Sequence, residues 1–374
     1  MNEPVSAGTD PAALPPRPHS RIRRIIVIAL LAVLACILAA AGYIWYRTTH
    51  STVSSVTINP QSAFDKGDLK GAMEQVDGIL ALDPDNVNAL VQKSLATAQA
   101  ALASPDRVRV AGEAASLARQ AIDASGGKSS EAYRALGFAH SVEGKYADAH
   151  AAYEKSLGID PHNALSLAGD ADIYAFEGET AKAKAGYEAA LAADSTTYQA
   201  DMGLGHIIAL GGDTDGAIAE FTKAYNYSPN QNLRAQAAFS IGLILIDTGN
   251  VDLARAYMEK ATQFDPNYPQ AWFGTGTAYY AQSVKAAADP SLRPQAGALM
   301  LASIRDLKRA TLIDPTLVLA HLQLAIDYDA ANQDAEARTS LERAKTLLPA
   351  DTTLSAADRA ALSARIEAFA KTLK

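Results

Sequence analysis

Between residues 59 and 351 apolar side chains recur at helical spacing, in segments closed by a short repeated mark. The marks are Asp83-Pro84, Asp160-Pro161, Ser228-Pro229, Asp265-Pro266, Asp314-Pro315 and Leu348-Pro349. Pro161 to Ser195, Ser195 to Pro229 and Pro315 to Pro349 are each 34 residues. Proline cannot continue a helix and biases its predecessor toward extended backbone, so Asp-Pro reads as a helix stop. Midway between marks the pattern breaks again, at turns such as Glu143-Gly144-Lys145 and Thr248-Gly249-Asn250. Each period is therefore two helices and two turns. Such a pair cannot bury its apolar faces alone and must stack on its neighbours.

The strongest apolar run lies elsewhere. Ile25–Tyr46 is 22 residues without a charge, preceded by Arg21, Arg23 and Arg24 and followed by Arg47. As a helix it would measure about 33 Å, enough for a hydrocarbon core of about 30 Å. The expected organisation is a disordered tail over 1–24, a transmembrane helix over 25–46, a linker over 47–58, the repeat array over 59–351 and a capping helix over 352–374. Arg17, Arg21, Arg23 and Arg24 precede the span, whereas Arg47 is the only Lys or Arg from 47 to 65. The positive-inside bias then puts the tail in the cytoplasm and, in a bacterium, the array in the periplasm. Two alternatives stay open. Ala39–Ala41 would suit a signal peptidase, and Val33-Leu34-Ala35-Cys36 resembles a lipoprotein box that would make Cys36 a lipidated terminus.

Charge and cysteine usage narrow the function. Residues 1–50 hold five arginines and two acids, so 28 basic against 39 acidic residues remain in Ser51–Lys374. An acidic domain is a poor general ligand for nucleic acid, whose binding relies on basic side chains. Cys36 is the only cysteine, which excludes intramolecular disulfides and cysteine-based zinc sites. About 320 residues also exceed one ordinary compact core, which agrees with an elongated array.

Within the periods the residues resemble the tetratricopeptide repeat family. Ser130–Asn163 carries Tyr133, Leu136, Gly137, Ala149, Tyr153 and Pro161 in the order of that pattern, and Ala235–Tyr268 carries Ile241, Gly242, Ala254, Met258, Ala261 and Pro266. Trp272, Gly276, Tyr279, Ala310 and Pro315 mark a further unit, and Leu324, Ala325, Tyr328, Ala337, Leu341, Ala344 and Pro349 another. Periods starting at Ala164 and Tyr198 keep the small residues and the aromatic at Tyr187 and Phe221. The resemblance implies an all-α, right-handed solenoid of seven to eight helical pairs. Departures are irregular first two units, with an extra segment around Ser104–Arg109, an insertion at 284–298 containing Pro290 and Pro294, and Asp170 where other periods place Leu or Ile. A last helix, with Ser355 as N-cap and Asp358 three residues on, is expected to close the open end.

No catalytic constellation emerges. Gly127-Lys128-Ser129 lacks the earlier glycine of a phosphate loop, because Ile122 holds that place, and it follows a helix instead of a strand. Gly203-x-Gly205 and Gly274-x-Gly276 fail as dinucleotide loops for the same lack of a strand. The seven histidines form no His-x-x-x-His pair; His140 and His321 fall at expected core positions. No cofactor, metal, enzymatic activity or small-molecule substrate is expected.

In the resembled family the first helix of each pair lines a concave face. Projected here, that face contains Arg134, Phe138, Asp172, Phe176, Met202, His206, Phe239, Leu243, Phe273 and Tyr280. Exposed aromatic and Met side chains on such a wall suit polypeptide segments. Members that clamp a terminal carboxylate use a cluster of basic residues there. Only Arg134 is available, so that activity is not expected. The resulting expectation is a membrane-tethered interaction scaffold or chaperone-like adaptor for envelope, secretion or translocation assembly. The alternative is a structural subunit of an envelope polysaccharide or polymer export machine, with the insertion or outer face as its contact.

Overall fold

The computed structural model describes residues 69–373, apart from 103, 105, 352, 353 and 355. The tail, the proposed span Ile25–Tyr46, the linker, Cys36 and Ser355 lie outside the described residues. Among those described, no helix is long and apolar enough to cross a membrane.

The described chain is helical, without strands. Helices α1 (Leu69–Leu82), α2 (Val87–Ala101) and α3 (Arg107–Ala124) form the irregular beginning. Regular pairs follow: α4 (Ser130–Glu143) with α5 (Tyr146–Ile159), α6 (Ala164–Phe176) with α7 (Thr180–Ala193), and α8 (Tyr198–Leu210) with α9 (Thr214–Tyr227). Then come α10 (Gln231–Asp247) with α11 (Val251–Phe264), α12 (Pro269–Ala288) with α13 (Arg293–Ile313), and α14 (Val318–Ala330) with α15 (Asp334–Leu347). The last helix is α16 (Ala356–Ala370).

The two turns of a repeat have separate chemical causes. The turn inside a pair needs left-handed backbone at one register position. Gly144, Gly178, Gly212 and Gly249 adopt φ of 80–84° there, and Asn332 adopts 55° in the last pair. The pair α12/α13 has Ser283 at that position, buried within a helix that continues to Ala288. The insertion 284–298 is therefore mostly helix, lengthening α12 and opening α13, with Pro294 in the first turn where its missing N–H costs nothing. The turn between pairs is closed by the aspartate of three Asp-Pro marks, Asp83 accepting instead from Asn86 Nδ2 at 3.1 Å. In those three the side chain accepts from the backbone N–H two residues on: His162 to Asp160 at 3.0 Å, Asn267 to Asp265 at 2.9 Å and Thr316 to Asp314 at 2.8 Å. Asp194, which has no proline after it, makes the same bond to Thr196 at 2.8 Å.

Packing follows the small-residue pattern. Ala149, Ala183, Ala217, Ala254 and Ala337 are fully buried, and Tyr153, Tyr187, Phe221 and Met258 fill the wedges between helices. The ring of Tyr153 lies over two glycines, one in its own pair and one in the next. A Cβ at Gly137 would stand 2.8 Å from that ring, and one at Gly169 would stand 2.5 Å from its hydroxyl. Met258 is held the same way between Gly242 and Gly274. At the far end, Leu362 and Ile366 of α16 pack on Val318, Leu322, Leu341 and Leu348.

Asp170 is reconciled with its apolar register by a partner from the preceding pair. His150 Nδ1 lies 2.5 Å from its Oδ1, and the other ring nitrogen is 3.4 Å from Glu177 Oε2. Burial pushes the Asp170 pKa up, and the bond to His150 pulls it back. His150→Ala is expected to destabilise the fold by about 1–3 kcal/mol, because a half-buried carboxylate loses its partner. Asp170→Leu with His150→Leu should recover most of that loss in urea denaturation. A double variant as unstable as the single one would refute this reading.

Candidate functional site

The geometry of stacking identifies the inner wall. First helices of successive pairs touch one another directly (α4 with α6, α6 with α8, α8 with α10, α10 with α12), whereas second helices of successive pairs are farther apart. The first helices therefore follow the shorter, inner path, and side chains they leave uncovered line it. Four large apolar side chains remain exposed on consecutive first helices: Leu165 at 43% and Phe176 at 70% on α6, Leu210 at 81% on α8, and Leu243 at 40% on α10.

The ten residues expected on this wall divide by register. Phe138, Asp172, His206 and Leu243 occupy one repeat position; Asp172, His206 and Leu243 are exposed, while Phe138 is half-buried against the cluster around Ala139 and Val142. Phe176 and Leu210 share the next outward position. Arg134, Met202, Phe239 and Phe273 share another, and it turns toward the neighbouring repeat. Met202 is a correction: it is 5% exposed, packed with Phe221, Ile241 and Leu245, and offers no surface. Four residues of helix turn about 400°, so Met202, one turn before the exposed His206, is rotated about 40° into the next repeat. Phe239 is half-buried, its ring edge-on to Tyr268 at 5.6 Å, and Phe273 packs on Ile304, Leu307 and Leu324. Arg134 is bound to Glu131 at 2.7 Å. Tyr280 is half-buried; desolvation and the nearby Asp327 and Asp329 raise its phenol pKa.

Asp172 is the polar centre of the wall. It accepts from Tyr187 Oη at 2.7 Å and from Gln199 Nε2, on the next first helix, at 3.0 Å. The concave wall crowds this carboxylate without sealing it, and the desolvation pushes its pKa up to about 6 against both hydrogen bonds. His206 holds the same register position on α8, edge-on to Phe221 at 4.9 Å and 3.3 Å from Ser240 Oγ. Desolvation holds its pKa below the ordinary value, so it is neutral at pH 7.

Other polar residues do structural duty. His140 is buried beside Glu143 at 2.7 Å, at the end of α4. His321 is half-buried, not in the core as expected, and lies 3.0 Å from the Pro315 carbonyl. Among the described residues no group of three His, Cys, Asp or Glu side chains could hold a metal ion. Sequence reasoning missed Gly169, Gly203 and Gly274. Their spacing of 34 residues between Gly169 and Gly203 was a usable signal, and their role is to admit the bulky side chain of the preceding pair.

Residues 130–163, 170–232 and 235–268 match family descriptions of the tetratricopeptide repeat. No curated protein matches the chain. Among solved structures it is similar to the anaphase-promoting complex hetero-tetramer Cut9–Hcn1, at 16% identity and TM-score 0.61, over 86% of this chain and 59% of that one. Human IFIT1, solved as a dimer with m7Gppp-AAAA, is similar at 20% identity and TM-score 0.53, over 76% and 65%. PilF of Pseudomonas aeruginosa is similar at 18% identity and TM-score 0.50, over 59% and 93%. The chain thus spans less than two thirds of the first two, and these likenesses establish the fold alone. With three matched segments and the stacked helical pairs around them, the chain is a tetratricopeptide repeat protein.

Proposed function

We propose that the protein is a membrane-tethered interaction scaffold or chaperone-like adaptor, non-enzymatic, whose inner wall holds polypeptide segments. The observation that carries this reading is the row Leu165, Phe176, Leu210 and Leu243, exposed on three consecutive first helices. Large apolar side chains left exposed on three successive first helices mark an interaction site, where a single one would not. Protein assemblies among similar folds support it, Cut9–Hcn1 in particular. IFIT1 has been solved with a capped RNA fragment. Here the balance of 28 basic to 39 acidic residues after residue 50 argues for protein over nucleic acid. The uncharged Ile25–Tyr46 supports a single-pass anchor in a bacterial inner membrane, with the repeats in the periplasm, and lipidation at Cys36 is the rival arrangement. Confinement to one membrane would raise the effective concentration of partners there, as in envelope, secretion or translocation assembly.

The test is photocrosslinking in intact membranes from positions 176, 210 and 243, with the exposed second-helix position Leu253 as control. Discrete adducts from the wall and none from 253 are expected. Phe176→Glu with Leu210→Glu should abolish them at little cost in stability, since both side chains are exposed. Adducts from 253 alone would refute the wall as the site.

A further inference from the structure

The wall is selective in charge as well as apolar. Along the first helices from Ser130 to Asp247, four of the six acids have a basic partner. Glu131 holds Arg134, Glu143 meets His140 and Lys145, Asp170 meets His150, and Asp201 lies 3.5 Å from Lys223. Two do not. Asp172 is bound only by the neutral donors Tyr187 and Gln199, and the exposed Asp247 makes no ion pair among the described residues. The basic residues nearby are committed elsewhere. Arg134 is used by Glu131, and the Arg234 guanidinium lies 4.2 Å over the Phe264 ring with its Nε–H on the Tyr225 carbonyl. His206, the remaining basic group, is neutral at pH 7.

Asp172 also sits within the apolar row. On α6 it is one helical turn from Phe176 and two turns from Leu165, about 6 and 10 Å along the axis. Each of its oxygens accepts one bond from the protein and keeps a further acceptor position free. We propose, resting on the reading of this wall as a polypeptide site, that it selects segments carrying a lysine or arginine flanked by large apolar residues, with the cation seated on Asp172. An acidic segment would meet two uncompensated carboxylates and no available cation. An uncharged one would leave Asp172 desolvated beneath it without a counter-charge, the costlier state for a carboxylate.

The test uses the full chain in detergent micelles and fluorescein-labelled, acetylated and amidated 12-residue peptides. Each has two Leu and one Phe around a central Lys, Arg, Gln or Glu. Fluorescence anisotropy is expected to give Lys and Arg peptides about tenfold tighter than Gln, with Glu weakest, as one charge-assisted hydrogen bond implies. Added salt should weaken the Lys peptide and leave the Gln peptide unchanged. Asp172→Asn, which keeps the bond from Tyr187, should erase the Lys preference and its salt dependence, bringing Lys and Gln peptides to the same affinity. Equal binding of Lys and Glu peptides, absence of the salt effect in the native protein, or a preference surviving in Asp172→Asn overturns the charge inference alone. If no peptide binds and positions 176, 210 and 243 give no crosslinks, the polypeptide site itself falls. Dimerisation that Phe176→Glu abolishes would overturn both, assigning the wall to a second copy.

Discussion

Asp327→Asn is expected to unfold at a higher temperature than the native chain at pH 8, with the difference closing toward pH 4. Asp327 lies on α14 with 0% exposure and no cation beside it. Its Oδ1 accepts from Gln323 Nε2 at 2.8 Å, and its Oδ2 makes a short hydrogen bond with Ser303 Oγ. Ser303 Oγ is also 2.7 Å from the Gly276 carbonyl, so two acceptors compete for one hydroxyl proton. A protonated Asp327 resolves the competition. It donates to Ser303, which donates to Gly276. Burial pushes the Asp327 pKa up to about 6, against the bonds from Ser303 and Gln323.

The sign of the linkage follows. A carboxyl that binds its proton more tightly folded than unfolded stabilises most fully below the unfolded pKa of about 3.9 and loses that contribution as pH rises through the folded value. Between about pH 4 and 6 the native chain therefore loses up to about 2–3 kcal/mol at this site. An asparagine keeps both bonds, its Nδ2 donating to Ser303 and its oxygen accepting from Gln323, with no proton to lose. Urea denaturation from pH 4 to 8 measures the difference between variant and native chain. That difference cancels the parallel contributions of Asp172 and Asp201, which are also pushed up to about 6. An Asp327→Asn chain less stable than the native one at pH 8 would show that the site favours the ionised carboxylate and that folding does not raise its pKa.

The second large effect belongs to a glycine. Gly203→Ala is expected to cost about 1–3 kcal/mol, as overpacking of a close-packed interior does. An added Cβ would lie inside the Tyr187 ring, whose wedge position is fully buried. Tyr187 has no free direction, because it fills the space between α6 and α8 and its hydroxyl is bonded to Asp172. The substitution should thus disturb the carboxylate of the wall and the stacking of two repeats together. In a Tyr187→Leu background the same glycine substitution should cost far less, and a double-mutant cycle reads the coupling directly. Additive effects would mean that the ring is not what Gly203 accommodates.

These cases separate two levels of information. Helix positions, the two turns per period and the alternating small and bulky residues were legible in the sequence because they are local. Gly at the inner turn, Asp at the outer turn and apolar spacing between them each act within a few residues. Even the lengthened α12 had a local sign, Ser283 in place of the turn glycine. The wall was legible only in part. Phe176, Asp172, His206 and Leu243 were assigned to it from register, and the structure leaves all four exposed. Met202, assigned from the same register reasoning one turn before His206, is buried. A turn of four residues overshoots a full rotation by about 40°, enough to carry a side chain from solvent into the next repeat.

What stacking alone decided was which charges are paired. His150 with Asp170, Lys223 with Asp201 and Ser303 with Asp327 join residues 20 or more apart, across helices whose approach depends on the glycines between them. The sequence by itself determined that this chain is a helical repeat array preceded by a 22-residue run without a charge. Only the tertiary structure decided that Asp172 meets no cation and that Asp327 is fully buried between Ser303 and Gln323 with none either. A carboxylate's charge state is set by the distance to its neighbours and by the water around it, and neither is written in local spacing.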